Sequence, residues 1–405
     1  DAMFITQKKL KGIVTTEGGK HSHLAILANT YGIPFVYGIE NIDKIIKTND
    51  TVIVDGNSGT IYVNPDEVVL HVFNAQIKDL EEENSHLAKF KGKNATTKDG
   101  VKININANIG NVEEGFLAFE DGADGIGLFR SEFLFMEKAD MSEESQFAAY
   151  KQVLETAKEK TVTIRTLDCG GDKIIKSPDI IQESEKNPLL GWRAIRFTLD
   201  NTDLFKTQLR ALYRASTFGN LKIMFPLISC HEQVMSVLKL VKEVQNQLTQ
   251  EKIPFDKNVP LGIMIETPAA ALIADHLAPT VSFFSIGTND LTQYTTCVDR
   301  ENAKVSHLFS EFHPAVIRLI KNTIEAGQNH NIDVSVCGEL AGSIEGAILL
   351  VGMGVRTLSV SSRKINKVKE VLSRFSLQEI ENIALETLKH PDAETVLSTI
   401  QAFIK

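Results

Sequence analysis

Two acidic residues, Glu266 and Asp290, follow two successive apolar runs of the sequence. If both runs are neighbouring strands of a parallel barrel, their carboxyl ends meet in the same mouth, and the two carboxylates share one site. Oxygen donors with open coordination positions suit Mg²⁺, which keeps water ligands and takes up substrate oxygens. We therefore predict a magnesium site at Glu266 and Asp290, with both residues on tight turns. The alternative is a solvated or ion-paired couple of acids.

Four arginines end predicted strands or lie in the connections that follow them. They are Arg130, Arg165, Arg193 and Arg300. A guanidinium group can bind phosphate or carboxylate through two parallel hydrogen bonds. Several arginines beside a divalent metal therefore indicate a small substrate that carries both groups. The alternative is that one or two of them form structural ion pairs with Asp168, Asp172 or Glu132.

The run Gly18-Gly19-Lys20-His21-Ser22-His23 precedes a predicted helix from His23 to Asn29. Free backbone amides and the helix dipole favour an anion at this point, and the paired glycines let the backbone approach it. A histidine placed here can accept a phosphoryl group and pass it on. The alternative is a glycine turn with two solvated histidines. Chemistry alone does not decide between His21 and His23.

Cys337 directly follows the seventh predicted strand. A thiol at a barrel mouth can exchange a proton with a carbanionic or enolic carbon. Cys169 also follows a strand end and remains a competitor. Cys230 and Cys297 are interpreted as small buried hydrophobic residues, the usual role of a lone cysteine.

Eight short apolar runs that close on polar or charged residues position these side chains. Most are separated by enough residues for a helix, which is typical of a parallel (β/α)8 barrel with its site at the carboxyl ends of the strands. The runs are Ile105–Ile109, Gly125–Phe129, Val162–Ile164, Leu221–Phe225, Leu261–Ile265, Val281–Ile286, Val334–Val336 and Thr357–Val360.

The predicted fold class is α/β, a (β/α)8 barrel preceded by a smaller α/β unit. Residues 1–67 contain short strands and a hairpin with strong turn residues at Asp55–Gly59, but too few strands to close a core. We therefore expect a segment before Asp1 to complete this unit. Residues 68–97 are predicted to form a charged linker helix and the segment that leads into the barrel. Residues 98–405 are predicted to form the barrel, with amphipathic helices from Asn366 onward.

Composition narrows the functional classes. The 405 residues carry a net charge of −9 and contain 43% hydrophobic residues. This acidic balance argues against a nucleic-acid surface, and no stretch reaches the roughly 20 uncharged apolar residues of a membrane span. Four cysteines without metal-ligand or CxxC spacing favour a reducing cytoplasm.

Together these motifs resemble the phosphoenolpyruvate-protein phosphotransferases, the enzymes I of the bacterial sugar phosphotransferase system. The resemblance runs from about Gly12 to the C-terminal helices. The segments that carry it are Gly18–His23, Gly127–Phe135, Arg165–Lys173, Asn187–Arg193, Ile265–Pro268, Ser285–Tyr294, Arg300 and Cys337–Gly342.

The resemblance implies a role for each candidate residue. His23 would be the phosphorylated histidine, Cys337 the general acid, and Glu266 and Asp290 the ligands of Mg²⁺. Phosphoenolpyruvate would be bound by Arg130, Arg165, Arg193, Asn289 and Arg300. The phosphoryl group would then pass to a histidine phosphocarrier protein, and the family implies a swivelling phosphohistidine domain and a homodimer formed through the barrel.

Two departures from the family pattern leave alternatives open. His21 stands where the family has threonine or serine, so a second acceptor is present. The helical domain that docks the phosphocarrier has no counterpart, which predicts an N-terminally incomplete enzyme. A pyruvate phosphate dikinase or phosphoenolpyruvate synthase shares the histidine domain and barrel, although Asp168–Lys173 and Gly191–Arg193 favour the protein phosphotransferase. A phosphoenolpyruvate sensor without transferase activity is the remaining alternative.

Overall fold

A computed structural model describes residues 10–17, 24–25, 28, 32–137, 142–169 and 185–405. The chain divides into two compact units, residues 1–89 and residues 90–405. The predicted helix from His23 to Asn29 lies largely outside the described residues, although Leu24, Ala25 and Ala28 are helical.

The described part of the N-terminal unit contains two small sheets. Strands β1 (Ile13–Val14) and β2 (Phe35–Val36) pair in parallel, and β3 (Val52–Asp55) and β4 (Thr60–Val63) form an antiparallel hairpin. Asp55 closes the hairpin turn, since its Oδ1 accepts a hydrogen bond from the Asn57 backbone N–H at 2.9 Å. This is the Asx turn chemistry that the sequence predicted.

This unit also contains helices α1 (Ile42–Ile45) and α2 (Glu67–Leu87). Asp66 caps α2 by accepting a hydrogen bond from the Val69 N–H at 2.9 Å. No residue of α2 is buried, in agreement with the predicted charged helix.

Eight parallel strands of the second unit form a closed barrel, and β13 pairs with β6 to close it. This confirms the predicted fold. The strands are β6 (Lys102–Ile109), β7 (Ile126–Arg130), β8 (Thr161–Arg165), β9 (Asn220–Phe225), β10 (Leu261–Ile265), β11 (Phe283–Ile286), β12 (Asp333–Val336) and β13 (Thr357–Val360). A short strand β5 (Ala95–Thr96) pairs antiparallel with the start of β6.

The alternation of residues along β6 shows how the barrel is built. Ile103, Ile105 and Ile109 are at most 2% exposed and belong to the main apolar cluster, whereas Asn104 and Asn108 are only half-buried. Successive side chains of a strand point to opposite faces, so one face packs in the apolar core and the other carries polar groups.

Helices follow the barrel strands and supply the rest of the core. Those of the first half are α3 (Val112–Glu120), α4 (Glu132–Glu137), α5 (Glu143–Ala157), α6 (Ala194–Asp200), α7 (Thr202–Ala215) and α8 (His231–Gln250). Those of the second half are α9 (Pro268–Leu272), α10 (Ala274–Leu277), α11 (Thr288–Thr296), α12 (Pro314–Asn329) and α13 (Ile344–Gly352).

The predicted C-terminal helices are present as α14 (Ile365–Ser373), α15 (Leu377–Thr387) and α16 (Ala393–Ile404). Helix α15 packs closely on α13, because a Cβ at Gly352 would lie only 2.4 Å from the Ile380 carbonyl oxygen. In the described part of the chain, no helix is long and apolar enough to cross a membrane.

Candidate active site

Strand pairing brings four of the predicted site residues, Arg130, Arg165, Glu266 and Cys337, to the carboxyl ends of the barrel strands. Arg130 and Arg165 are register partners at the ends of β7 and β8. Ile265, which precedes Glu266, pairs with Ile286 at the end of β11. The Cys337 N–H donates to the Ile286 carbonyl at 3.0 Å, which places the thiol beside the same strand end.

Arg165 is 6% exposed and is held by two carboxylates. Its Nη2 contacts Glu132 Oε1 and lies 2.9 Å from Asp168 Oδ2, and its Nη1 donates to Met264 Sδ at 3.7 Å. Burial lowers its pKa, but the charges of Asp168 and Glu132 outweigh burial and raise it above its ordinary value. Its Nε has no hydrogen-bond partner among the described residues, so one buried donor is available to a ligand.

Arg193 shares Asp168 with Arg165. Its Nη2 lies 2.9 Å from Asp168 Oδ1 and 3.6 Å from Asp290 Oδ2, and its Nη1 donates to the Tyr294 hydroxyl at 3.4 Å. The Tyr294 hydroxyl in turn donates to the Leu189 carbonyl at 2.6 Å. The two arginines therefore share one carboxylate group, which sets their separation.

Glu266 is a buried carboxyl group, 3% exposed. Its Oε1 accepts a hydrogen bond from the Leu227 N–H at 2.6 Å, while Oε2 lies over Gly287, where a Cβ would approach to 2.9 Å. Burial, together with the nearby charges of Asp290 and Asp168, raises the pKa of Glu266 to about 8. A cation bound at this carboxyl group would favour its charged form and so lower this pKa.

The position of Asp290 differs from the prediction in one detail. It lies in the first turn of helix α11 rather than on a tight turn, because α11 begins immediately after β11, at Thr288. A carboxylate in the first helical turn is favoured by the helix dipole. Asp290 pairs with Arg193 and, through Oδ1, with Nη1 of Arg300 at 3.3 Å.

Two residues near the site have a left-handed backbone although neither is glycine. Leu227 has φ +52° and Ala194 has φ +50°. The first presents its N–H to Glu266, and the second directly follows Arg193. Such conformations cost on the order of 1–2 kcal/mol and persist only where the surroundings enforce them.

Cys337 is 4% exposed, and its thiol donates to the Ile286 carbonyl at 3.7 Å. Burial raises the pKa of the thiol to about 11, and the charge of Glu266 adds to this, while a hydrogen bond with Ser285 acts in the opposite direction. The sulfur is therefore protonated at neutral pH. The side chain of Asn108 donates to the Cys337 carbonyl at 2.9 Å and so braces this residue from β6.

The remaining predicted residues lie in different surroundings. Asn289 Oδ1 accepts a hydrogen bond from the Glu339 N–H at 2.7 Å. Arg130 is half-buried at the end of β7, and its charge acts on the Cys337 thiol. The competitor Cys169 is buried, and its carbonyl accepts the Ala194 N–H at 2.8 Å. Cys297 is exposed at the C-terminus of α11, contrary to the prediction, because the chain leaves the helix there with a left-handed residue.

Some predictions fall outside the described residues. His23 and His21 lie there, and so does Asp172. Among the residues that the structure describes, no group of three or more histidine, cysteine or acidic side chains could hold a metal ion. A metal at Glu266 and Asp290 would therefore need substrate or water oxygens to complete its coordination.

Sequence reasoning missed the central place of Asp168, which it treated only as a structural partner of an arginine. The structure shows Asp168 between Arg165 and Arg193, so the predicted ion pairs exist and lie inside the site. The position of Asp168, three residues after Arg165 at a strand end, is the signal that was present. Tyr294 and Glu132 are further buried or half-buried contacts of these arginines.

The chain matches two family models. Residues 84–377 match the phosphoenolpyruvate-binding domain of phosphoenolpyruvate-utilising enzymes, and residues 1–59 match their mobile domain. A protein of Buchnera aphidicola from Acyrthosiphon pisum named phosphoenolpyruvate-protein phosphotransferase is 42% identical over 99% of this chain and 70% of its own length.

Further relatives carry the same name. One from Haemophilus influenzae is 40% identical over 98% of this chain and 69% of its own length. One from Borreliella burgdorferi is 40% identical over 100% of this chain and 70% of its own length. Phosphoenolpyruvate-utilising enzymes generally use a divalent metal ion. The chain belongs to the phosphoenolpyruvate-protein phosphotransferase family.

Proposed function

We propose that this chain transfers the phosphoryl group of phosphoenolpyruvate to His23 and then to a histidine phosphocarrier protein, with release of pyruvate. Family membership supports the reaction. The observation that carries the proposal for this site is the pairing of Arg165 and Arg193 through Asp168, beside Glu266, Asp290 and a protonated Cys337. These groups complement a small substrate with a phosphate, a carboxylate and an enolic carbon.

The arginines neutralise the substrate's charge. Arg130, Arg165, Arg193 and Arg300 bind the phosphoryl oxygens as charge develops on them, and Asn289 adds a hydrogen bond. The unpartnered Nε of Arg165 supports this role, since it is a buried donor without an acceptor among the described residues. Asp168 holds two of the guanidinium groups in place before substrate arrives.

Glu266 and Asp290 would hold the divalent ion, and their hard oxygen donors favour Mg²⁺. The fit rests on the elevated pKa of Glu266 and on the absence of a side chain at Gly287, which leaves space at Oε2. When bound, this ion neutralises carboxylate and phosphate oxygens of the substrate.

The chain's own residues carry the bond changes. A ring nitrogen of His23 attacks phosphorus in line, the new P–N bond forms, and the bond from phosphorus to the enol oxygen breaks. The enol electron pair then takes the proton of the Cys337 thiol at carbon, which forms the methyl group of pyruvate. The thiolate regains its proton from water. The pKa of about 11 keeps the thiol protonated for this step.

Delivery to the carrier requires His23 to move between two sites. We assign this movement to residues 1–67, with residues 68–97 as the hinge and residues 98–405 as the stationary barrel. Reaction of the phosphocarrier's histidine with phosphohistidine at His23 restores the free imidazole. We further propose a cytoplasmic location and a homodimer through the barrel, as the family resemblance implies.

The first test is phosphorylation with labelled substrate. The protein is incubated with Mg²⁺ and ³²P-phosphoenolpyruvate, and acid-labile label is mapped by peptide in the wild type, His23→Ala and His21→Ala. Label that is lost only in His23→Ala supports the proposal. Label that follows His21 would reassign the acceptor. Phosphoenolpyruvate binding without any label would indicate the sensor. Turnover that requires ATP would indicate the dikinase.

A further inference from the structure

Glu311 connects two segments of the site, the start of helix α11 and the turn after β12, although it belongs to neither. It lies between the 3₁₀ turn Ser306–Leu308 and helix α12. Its Oε1 accepts a hydrogen bond from the Thr288 hydroxyl and a second one, at 3.2 Å, from the Leu340 N–H. Thr288 is two residues before Asp290, and Leu340 is three residues after Cys337. One carboxylate oxygen therefore joins the start of helix α11 to the turn after β12.

The two segments also meet directly. A Cβ at Gly338 would lie 1.9 Å from Thr288 Oγ1 and 2.5 Å from the Thr288 backbone nitrogen, so only glycine allows this approach. The Glu339 N–H donates to Asn289 Oδ1 at 2.7 Å. Cys337 and Asn289 are therefore held at a separation that depends on Thr288, and the Thr288 hydroxyl is oriented by Glu311.

The carboxyl group of Glu311 is a suitable acceptor for the hydrogen bonds from Thr288 and Leu340. Burial raises the pKa of its carboxyl group above the ordinary value, although the hydrogen bonds from Thr288 and Leu340 act in the opposite direction. A carboxylate forms stronger hydrogen bonds than a neutral acceptor, and a buried N–H that loses its acceptor is destabilised. The Leu340 N–H would lose that acceptor if Glu311 were truncated.

We propose that Glu311 is a positioning residue for protonation of the enolic product, because it holds the turn that follows Cys337 against the first turn of α11, which carries Asn289 and Asp290. The inference rests on the proposed roles of Cys337 and Asn289. Among the described residues, Glu311 forms hydrogen bonds with Thr288 and Leu340 and not with the Cys337 thiol, so we assign its effect to these two contacts.

The test uses the full chain and two independent readouts. The first is the rate at which an iodoacetamide probe alkylates Cys337 without substrate, measured by peptide mass spectrometry, with exposed Cys297 as the internal reference. The second is single-turnover pyruvate formation as a function of phosphoenolpyruvate concentration. Glu311→Ala should raise Cys337 alkylation about tenfold through loop opening. It should slow pyruvate formation about tenfold, with the half-saturating concentration changed less than about threefold.

Three variants control for indirect effects. Glu311→Gln keeps an acceptor oxygen and should stay within about threefold of wild type on both readouts. Glu325→Ala removes an exposed acidic side chain of α12 that pairs with Lys321 at 3.3 Å, and should leave both unchanged. Thr288→Val removes one hydrogen bond at nearly constant volume. Its effect should not add to that of Glu311→Ala if the two residues act together.

Several outcomes would overturn the proposal. One is a Glu311→Ala protein that matches Glu325→Ala on both readouts, and another is full additivity with Thr288→Val. If Glu311→Ala does not fold, Thr288→Val alone decides, and unchanged alkylation and turnover would refute the positioning role. If Cys337→Ser forms pyruvate at the wild-type rate, the role of Cys337 fails and the role of Glu311 fails with it. A slow Cys337→Ser beside a normal Glu311→Ala would overturn only the role of Glu311.

Discussion

The two ends of the barrel use buried charge differently. At the C-terminal end, Arg165 and Arg193 pair with Asp168, and Arg193 and Arg300 pair with Asp290. At the N-terminal end, the buried Lys369 donates to the Gly122 carbonyl at 2.7 Å, and Lys160 donates to the Ala123 carbonyl. These arginines contact carboxylates, whereas these two lysines donate to backbone carbonyl groups.

This difference separates function from stability within one fold. A charge that donates to a backbone carbonyl group holds a turn in place. Arginines that share a carboxylate stay charged and close together, and a substrate anion can replace part of that contact. Substitutions at the C-terminal end should therefore mainly reduce catalysis, and substitutions at the N-terminal end should mainly reduce the stability of the fold.

The largest expected effect comes from Asp168→Asn. It removes the charge that Arg165 and Arg193 share, so both guanidinium groups lose their common position. We expect kcat/KM for phosphoenolpyruvate to fall roughly 10²- to 10³-fold, a typical cost of losing preorganised charge in a site. Labelling kinetics at several substrate concentrations measure this. An effect below about threefold would contradict the central place given to Asp168.

Lys369→Met tests the opposite end. The variant leaves the Gly122 carbonyl without its donor, and we expect a loss of about 1–3 kcal/mol in the free energy of unfolding. Phosphorylation per folded molecule should stay at the wild-type value, because Lys369 lies in α14 and contacts the turn before β7. Urea unfolding followed by circular dichroism measures the first quantity. A large loss of activity at unchanged stability would break the comparison.

The raised pKa of Glu266 predicts that the stability of the metal-free protein depends on pH. Its folded pKa is raised to about 8, so the folded state binds more protons than the unfolded state between the ordinary pKa and this value. The stabilising contribution is present below the ordinary pKa and is lost as the pH rises to about 8. The slope is at most about 1.4 kcal/mol per pH unit. Glu266→Gln should remove it, as measured by urea unfolding in EDTA; an unchanged slope would locate the titration elsewhere.

Tyr294→Phe should have the smallest effect. It removes the hydroxyl that accepts from Arg193 and donates to Leu189, while Asp168 and Asp290 still hold the guanidinium group. We expect the half-saturating phosphoenolpyruvate concentration to rise about three- to tenfold, consistent with one hydrogen bond, with little change in the maximal rate. A fall in the maximal rate alone would indicate contact with the reacting atoms.

The elements that position the site were predictable because their signals are local. Apolar runs and their polar ends located all eight strands, with differences of a few residues such as the start of the sixth strand at Phe283 rather than Val281. The placement of Asp290 in a helix was missed, since a strand end followed at once by a helix and one followed by a tight turn share the same residue types. The role of Glu311 had no local signal, because its partners are 23 and 29 residues away.

The sequence by itself determined the fold class and the chemical groups available to the site. Both follow from residue type and short-range periodicity, which do not depend on where distant segments lie. Tertiary structure alone decided that Arg165 and Arg193 share Asp168, that Glu266 and Cys337 have raised pKa values, and that Glu311 bridges helix α11 and the turn after β12. These properties depend on burial and on distances between residues far apart in the chain, and only the closed barrel sets them.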